Sequence, residues 1–370
     1  MNVPRTISFA VLVALVVGGI IYLNSQKAPR TTIGEKVEIK TTVNKEDKTK
    51  RYPVAKEITT PDGFINTDGK PITIGEFVGK KVVLLDIWTY SCINCQRTTP
   101  YLNAWYEKYK DKGLVVLGLH TPEFEFEKNY QNVFEATKRM GIKYPVILDN
   151  DFSTWNAYQN RFWPRKYLID IDGFIVYDHI GEGAYDETER KIQELLTERM
   201  TALGMAEEID TQISKPAGVE EIDVSVARSP EIYFGAARNL YLGNGKSETV
   251  GVQSLKEPAG IKTNILYLDG EWNFNAEFAE NINAGAKIIF RYSAAKVFFV
   301  ASSAKGINVR ILRDGVPVER EAGSDAREGS LFIFEERLYR LIEDPEGHGE
   351  HTLEIIIEEP GLQAFTFTFG

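Results

Sequence analysis

The run Lys81–Trp88, KVVLLDIW, is almost continuously apolar and rich in β-branched residues, and the chain's only two cysteines, Cys92 and Cys95, follow it directly. A strand without polar alternation is buried on both faces, so its sheet needs a layer of structure on each side. After Cys95, Leu102, Trp105, Tyr106 and Tyr109 recur at the i, i+3, i+4, i+7 spacing of one helix face, and Gly113 supplies a stop. The cysteine pair therefore sits where a central strand turns into a helix. Leu114–Leu119, Tyr144–Leu148, Tyr167–Asp170 and Phe174–Tyr177 read as further strands, the last two joined at Asp172-Gly173 as a hairpin. Phe126, Tyr130, Val133 and Phe134 mark a helix closed by Gly141. Another begins near Asp186, with Glu189 at a capping-box position and Ile192, Leu195 and Leu196 facing inward. This alternation predicts an α/β unit with a mixed sheet over residues 61–205.

A CxxC pair between a buried strand and a helix is a redox motif. Cys92 falls at the helix N-terminus, where unpaired N–H groups and the macrodipole favour a thiolate. Cys95 lies one turn inside, shielded, and within reach of the first sulfur, so it can resolve a mixed disulfide by attacking it. Two cysteines exclude a disulfide-stapled scaffold, and with no second pair a structural zinc site lacks ligands. The expected redox group is the Cys92–Cys95 disulfide itself, with no other cofactor and no metal. An excess of 53 acidic over 43 basic residues argues against a nucleic-acid partner.

Asp86 is six residues before Cys92 and Trp88 four before it; Pro100 is eight after, and Arg161-Phe162-Trp163-Pro164 precedes the hairpin. In this pattern the chain resembles the thioredoxin-like superfamily, whose members keep a buried acid beneath the cysteines and a cis-proline facing them. The resemblance implies that Asp86 accepts the Cys95 proton, and that Trp163-Pro164 is a cis bond whose backbone pairs with the substrate chain. The wider segments Trp88–Cys95, Thr99–Leu102, His120–Phe124 and Phe162–Asp170 are similar to the redoxin (TlpA-like) domain of DipZ-type proteins. Those domains usually follow a multi-span membrane domain that conducts electrons. Here a single apolar segment precedes it, which implies a separate membrane electron donor of the CcdA/DsbD type acting in trans.

That segment, Ile7–Leu23, is free of charge and would span about 25 Å as a helix. It predicts an uncleaved single transmembrane anchor over residues 1–23, with the bulk of the chain outside the cytoplasmic membrane, in the periplasm or on the cell surface. Residues 24–60, with nine Lys/Arg against five Asp/Glu, read as a tether, and the polar stretch 206–228 as a linker. From 229 to 370 short strand-like runs dominate, among them Ala286–Tyr292, Val297–Val300, Leu353–Ile357 and the alternating Phe365–Phe369. They predict an all-β, jelly-roll-like sandwich. This part also resembles the C-terminal domain of DipZ-type chains, which is shaped like a carbohydrate-binding module. The resemblance implies a carbohydrate as a candidate ligand, should Tyr233, Trp272 or Tyr339 be exposed.

The expected function is membrane-tethered, extracytoplasmic thiol–disulfide exchange with protein substrates, as a reductase more than an oxidant. Cys92 and Cys95 are the catalytic pair, and Asp86, Trp163 and Pro164 support them. All these residues lie within 61–205, which predicts that this unit is active alone. A thiol peroxidase is a second reading: Thr89 matches part of the peroxiredoxin pattern, although Leu85 stands where its proline belongs. A cell-surface glycan-binding module with a vestigial redox domain is a third.

Overall fold

Every position of strand β2 (Val82–Trp88) is buried, and its neighbours explain why. In a computed structural model, which describes residues 45–220 and 226–370, β2 lies inside a six-stranded sheet of order β1-β4-β3-β2-β5-β6. The other strands are β1 (Gly63–Ile65), β3 (Leu114–His120), β4 (Val146–Leu148), β5 (Arg165–Ile169) and β6 (Ile175–Ile180). β2 and β3 run parallel, as do β3 and β4; β2–β5, β5–β6 and β1–β4 are antiparallel. The mixed sheet expected from the sequence is present, with β1 as an edge strand the pattern did not signal.

Alternation sorts β2 into two faces. Val82, Leu84 and Trp88 join a cluster with Leu102 and Trp105 of helix α2 (Ile93–Tyr109), Val133 of α3 (Tyr130–Arg139) and Ile192 and Leu196 of α5 (Tyr185–Ala202). Val83, Leu85 and Ile87 face Ile58, Ile74 and Trp155, the last on the short helix α4 (Ser153–Ala157).

The folded part begins earlier than the expected tether boundary at residue 60. Helix α1 (Lys45–Arg51) carries Lys48, whose ammonium is 2.7 Å from Asp170 and 2.8 Å from Asp172 and also contacts Glu198. Val54 bridges to Phe174, and Glu57 accepts from the amides of Ile74 and Gly75. Residues 45–60 are thus part of the first layer set. The proposed anchor 1–23 and the tether up to residue 44 lie outside the described residues. Among the described residues, no helix is long and apolar enough to cross a membrane.

Glu189 does not cap α5, which starts at Tyr185 after Ala184 without a side-chain cap. It is buried instead, accepting from Tyr109 Oη at 2.8 Å, Lys108 Nζ at 3.1 Å and the Ser214 amide at 2.7 Å. The stretch read as a linker is fastened by it, and again at Glu220, which meets Lys296 at 2.6 Å and Arg340 at 3.0 Å. Burial works against the Glu220 charge, yet Lys296, Arg97 and Arg340 hold its carboxyl down to about 2.

The second half is a large antiparallel sandwich. Strand β8 (Leu266–Phe274) joins its two sheets, pairing with β9 (Ala286–Ala294) through Leu266–Asp269 and with β7 (Gly251–Leu255) through Gly270–Phe274. Gly270 marks the change of partner with a φ of +100°, a conformation that suits glycine. Strand β10 (Lys296–Ser302) pairs with β11 (Arg337–Glu343) and β12 (Gln363–Phe369) and is buried on both faces. Val297, Phe299 and Ala301 fill the sandwich. Phe298 and Val300 point the other way, joining Leu338 and Phe365 in the cluster that holds Trp88, Tyr90, Ile93 and Cys95. The two halves therefore share a core. Trp272 and Tyr339 are buried within the sandwich, and the Tyr233 hydroxyl is engaged by Glu123 of the first half. Trp272 and Tyr339 are thus not free to stack on a sugar, while the Tyr233 ring is half-buried with the Arg238 guanidinium 3.8 Å from it.

Candidate active site

β2 ends at Trp88, and four residues later Cys92 forms the N-cap of α2 with an extended backbone (φ −77°, ψ 119°). The helix is started by the Gln96 amide donating to the Cys92 carbonyl at 3.0 Å. Cys92 is half-buried and Cys95 buried, and both are thiols here. Burial pushes the Cys95 thiol well up, and the neighbouring Cys92 and Asp86 add to it. One sulfur is thus within reach of a partner and the other is kept protonated beneath it.

Asp86 lies on the α2 side of the sheet by the two-residue period of β2. Its Cα partners are Gly118 on β3 and Lys166 on β5, so all three share that face. Gly118 is needed there: a Cβ at this position would come within 2.9 Å of the Trp88 indole nitrogen and 3.1 Å of Tyr144. Burial pushes the Asp86 carboxyl up to about 7, and the Lys166 ammonium opposes that rise. Burial pulls the Lys166 pKa down, against Asp86 and Cys95, which favour its charged form. Lys166 donates to the Gly181 carbonyl at 3.0 Å. Tyr144 is fully buried in the same electrostatic group, its phenol pushed up by burial and by Asp86 and Cys95.

The Trp163–Pro164 bond is cis. Pro164 is buried at the start of β5, and its carbonyl accepts from the Gly181 amide at 2.8 Å. Trp163 is half-buried, donates from its indole to the Thr121 carbonyl at 2.9 Å, and packs 4.3 Å from the Trp155 ring. His120 pairs with Trp88 in register and is fully buried between the rings of Trp88 and Tyr90. Burial pushes its imidazole down to about 3, so it is a neutral packing residue. Among the described residues, the carboxylate group with metal-ligand spacing is Asp170, Asp172 and Glu198, the group that holds Lys48.

A buried strand ending in a half-exposed and a buried thiol, above a carboxyl that titrates near neutrality, is built for dithiol chemistry. A family model described as Redoxin matches residues 46–196, and one described as Thioredoxin like C-terminal domain matches residues 229–370. The thiol-disulfide oxidoreductase ResA of Bacillus cereus is 33% identical over 135 residues, which are 36% of this chain and 74% of ResA. The chain belongs to the redoxin family of thiol–disulfide oxidoreductases. This redoxin is also 35% identical to protein DipZ of Mycobacterium tuberculosis over 320 residues, 84% of the chain. It spans only 43% of the length of DipZ. A solved structure described as a putative thiol:disulfide interchange protein DsbE from Chlorobium tepidum is 23% identical and covers 39% of the chain and 96% of its own, with a TM-score of 0.35.

Three polar residues around the redoxin site were not singled out from the sequence. Tyr144 stands in the sequence only as a strand residue and Lys166 only as part of the Phe162–Asp170 segment, because the register that brings them to Asp86 is a tertiary fact. Glu127 sits fully buried in a short turn after β3 and accepts from the amide and hydroxyl of Ser91, next to Cys92. Glu127 lay just beyond the His120–Phe124 segment, and nothing local marked its carboxylate as buried.

Proposed function

We propose that this redoxin reduces protein disulfides outside a cytoplasmic membrane, tethered by Ile7–Leu23 and recharged by a membrane electron donor. The half-buried Cys92 above the buried, proton-holding Cys95 carries the reading. Cys92 as thiolate attacks one sulfur of a substrate disulfide; that bond breaks, and the departing sulfur takes a proton. Asp86, as carboxylate, then takes the Cys95 proton. Cys95 attacks the Cys92 sulfur, the mixed disulfide breaks, and the second substrate thiol leaves. Two electrons have moved from the chain to the substrate, leaving a Cys92–Cys95 disulfide. A dithiol donor of the CcdA/DsbD type would return it to the reduced state.

A carboxyl near pH 7 beneath the pair supports this sequence, since it can change protonation within one turnover at neutral pH. The apolar segment, too, is of bilayer length. The direction is tested by equilibrating the pair against glutathione. A potential more reducing than the roughly −180 to −210 mV of an oxidising compartment supports a reductase, and one near −120 mV would make it an oxidant.

A further inference from the structure

Burying a carboxylate is costly unless every lone pair finds a donor, and Glu127, with no exposed surface, has four. One oxygen accepts the Ser91 hydroxyl at 2.6 Å and the Ser91 amide at 3.2 Å. The other accepts the amides of Glu123 at 2.6 Å and Phe124 at 3.0 Å. The carboxylate is a strut between the two loops that follow β2 and β3, beyond the last bond between those strands, the Thr121 amide on the Trp88 carbonyl at 3.0 Å. One loop leads into Cys92. The other, Thr121–Phe124, is fixed from the sandwich side. The Glu123 carboxylate accepts from Arg238 at 2.7 Å and from the Tyr233 hydroxyl at 2.9 Å, and Arg238 lies 3.8 Å from the Tyr233 ring and 5.3 Å from that of Phe124. Phe124 and Phe126 meet Phe365 with ring centroids 5.2 and 4.9 Å apart. The residue before Ser91 is held from the same side, the Tyr90 hydroxyl donating to the Glu336 carbonyl at 3.1 Å.

We propose that Glu127 is a positioning residue for thiol–disulfide exchange, holding Ser91 and through it the Cys92 sulfur, from a loop that the C-terminal sandwich fixes through Glu123. It touches neither sulfur and acts through Ser91. The inference rests on Cys92 being the attacking sulfur. It gives the sandwich a task in the reaction that requires no ligand of its own. The geometry also explains why a carboxylate is needed: a glutamine has one acceptor oxygen and would turn its NH2 toward two of the four donors.

The test uses the reduced full-length chain in detergent micelles and 5,5′-dithiobis(2-nitrobenzoate), followed by stopped flow. The first release of thionitrobenzoate reports attack by Cys92, and the second reports displacement by Cys95. Glu127→Gln is expected to slow the first phase about tenfold, as a small misplacement of a reacting atom does, with the second phase unchanged. Ser91→Ala, which removes one of the four donors, should slow the first phase less, and Ser91→Thr, which keeps both, should restore it. Arg238→Met should also slow the first phase, and Glu127→Gln/Arg238→Met should be no slower than Glu127→Gln alone, because the two act in series. A first phase unaltered in both Glu127→Gln and Ser91→Ala would overturn the proposal. Effects of Glu127→Gln and Arg238→Met that simply multiply would overturn its link to the sandwich. If Glu127→Gln does not fold, Ser91→Ala and Ser91→Thr decide it. A first phase that persists in Cys92→Ser would show that the attacking sulfur had been misassigned, and the proposal would fall with it.

Discussion

Asp86 and Lys166 are cross-strand partners on β2 and β5, both fully buried, on the sheet face that carries Cys95. Neither is in a surface ion pair, and the Oδ1 atom of Asp86 has no hydrogen-bond partner. A group in that state is a proton acceptor held at a cost to stability.

The cost predicts a pH signature. The folded Asp86 carboxyl is raised to about 7 from its ordinary 3.8. Between those values the unfolded chain releases its proton first, so this group's contribution to stability falls as pH rises from about 4 to about 7 and levels off above. Asp86→Asn should therefore be more stable than the parent at pH 8 by about 4 kcal/mol, with the gain gone at pH 4. Urea unfolding at the two pH values measures this. Equal gains at both would mean that the carboxyl is not raised.

Lys166 lowers the proton affinity of Asp86, so Lys166→Met should move the Asp86 titration above about 7. The acidic limb of the resolving phase should shift to higher pH with it, by about one unit. The pH profile of the second thionitrobenzoate release reads the shift. A profile that stays in place would remove Lys166 from the proton path.

Lys48 places one ammonium among the carboxylates of Asp170, Asp172 and Glu198. Burial disfavours its charge, and the three carboxylates more than offset that, raising its pKa. Lys48→Met leaves the buried Asp170 and its neighbours without their cation and should cost about 3 kcal/mol, seen as a lower urea midpoint at pH 7. A loss below about 0.5 kcal/mol would show that α1 is not clipped to the sheet.

The shared core alters one expectation. A fragment ending at residue 205 contains every redox residue but exposes Ile93, Phe124 and Phe126, which pack with Phe298, Val300 and Phe365. Each large apolar side chain returned to water costs about 2 kcal/mol. The fragment is expected to melt about 10 °C or more below the whole chain and to bind a hydrophobic dye. A fragment as stable as the parent would show that the sandwich contact is dispensable.

How much of this was legible beforehand follows from where each signal is written. The buried run Lys81–Trp88, the helix after Cys95 and the hairpin at Asp172-Gly173 are local patterns, and the structure has them. Val297–Val300 reads correctly as a strand, but not that Phe298 and Phe299 serve two different cores, since a continuous apolar run does not name its partners. The Thr- and Lys-rich segment around Lys48 reads as spacer because the buried Lys48 finds its carboxylates more than a hundred residues away. Glu189 carried a capping signal and was used instead to bind α2 and residues 206–220. Lys166 and Glu127 became meaningful only through register and loop packing.

The central claim is that Cys92 attacks and Cys95 resolves. It is tested most directly by mixing Cys95→Ser and Cys92→Ser variants of the full chain with a disulfide-bonded protein such as insulin and resolving the products on non-reducing gels. Cys95→Ser should accumulate a dithiothreitol-sensitive adduct through Cys92, while Cys92→Ser and the parent accumulate none. An adduct held by Cys92→Ser, with none on Cys95→Ser, would contradict the account.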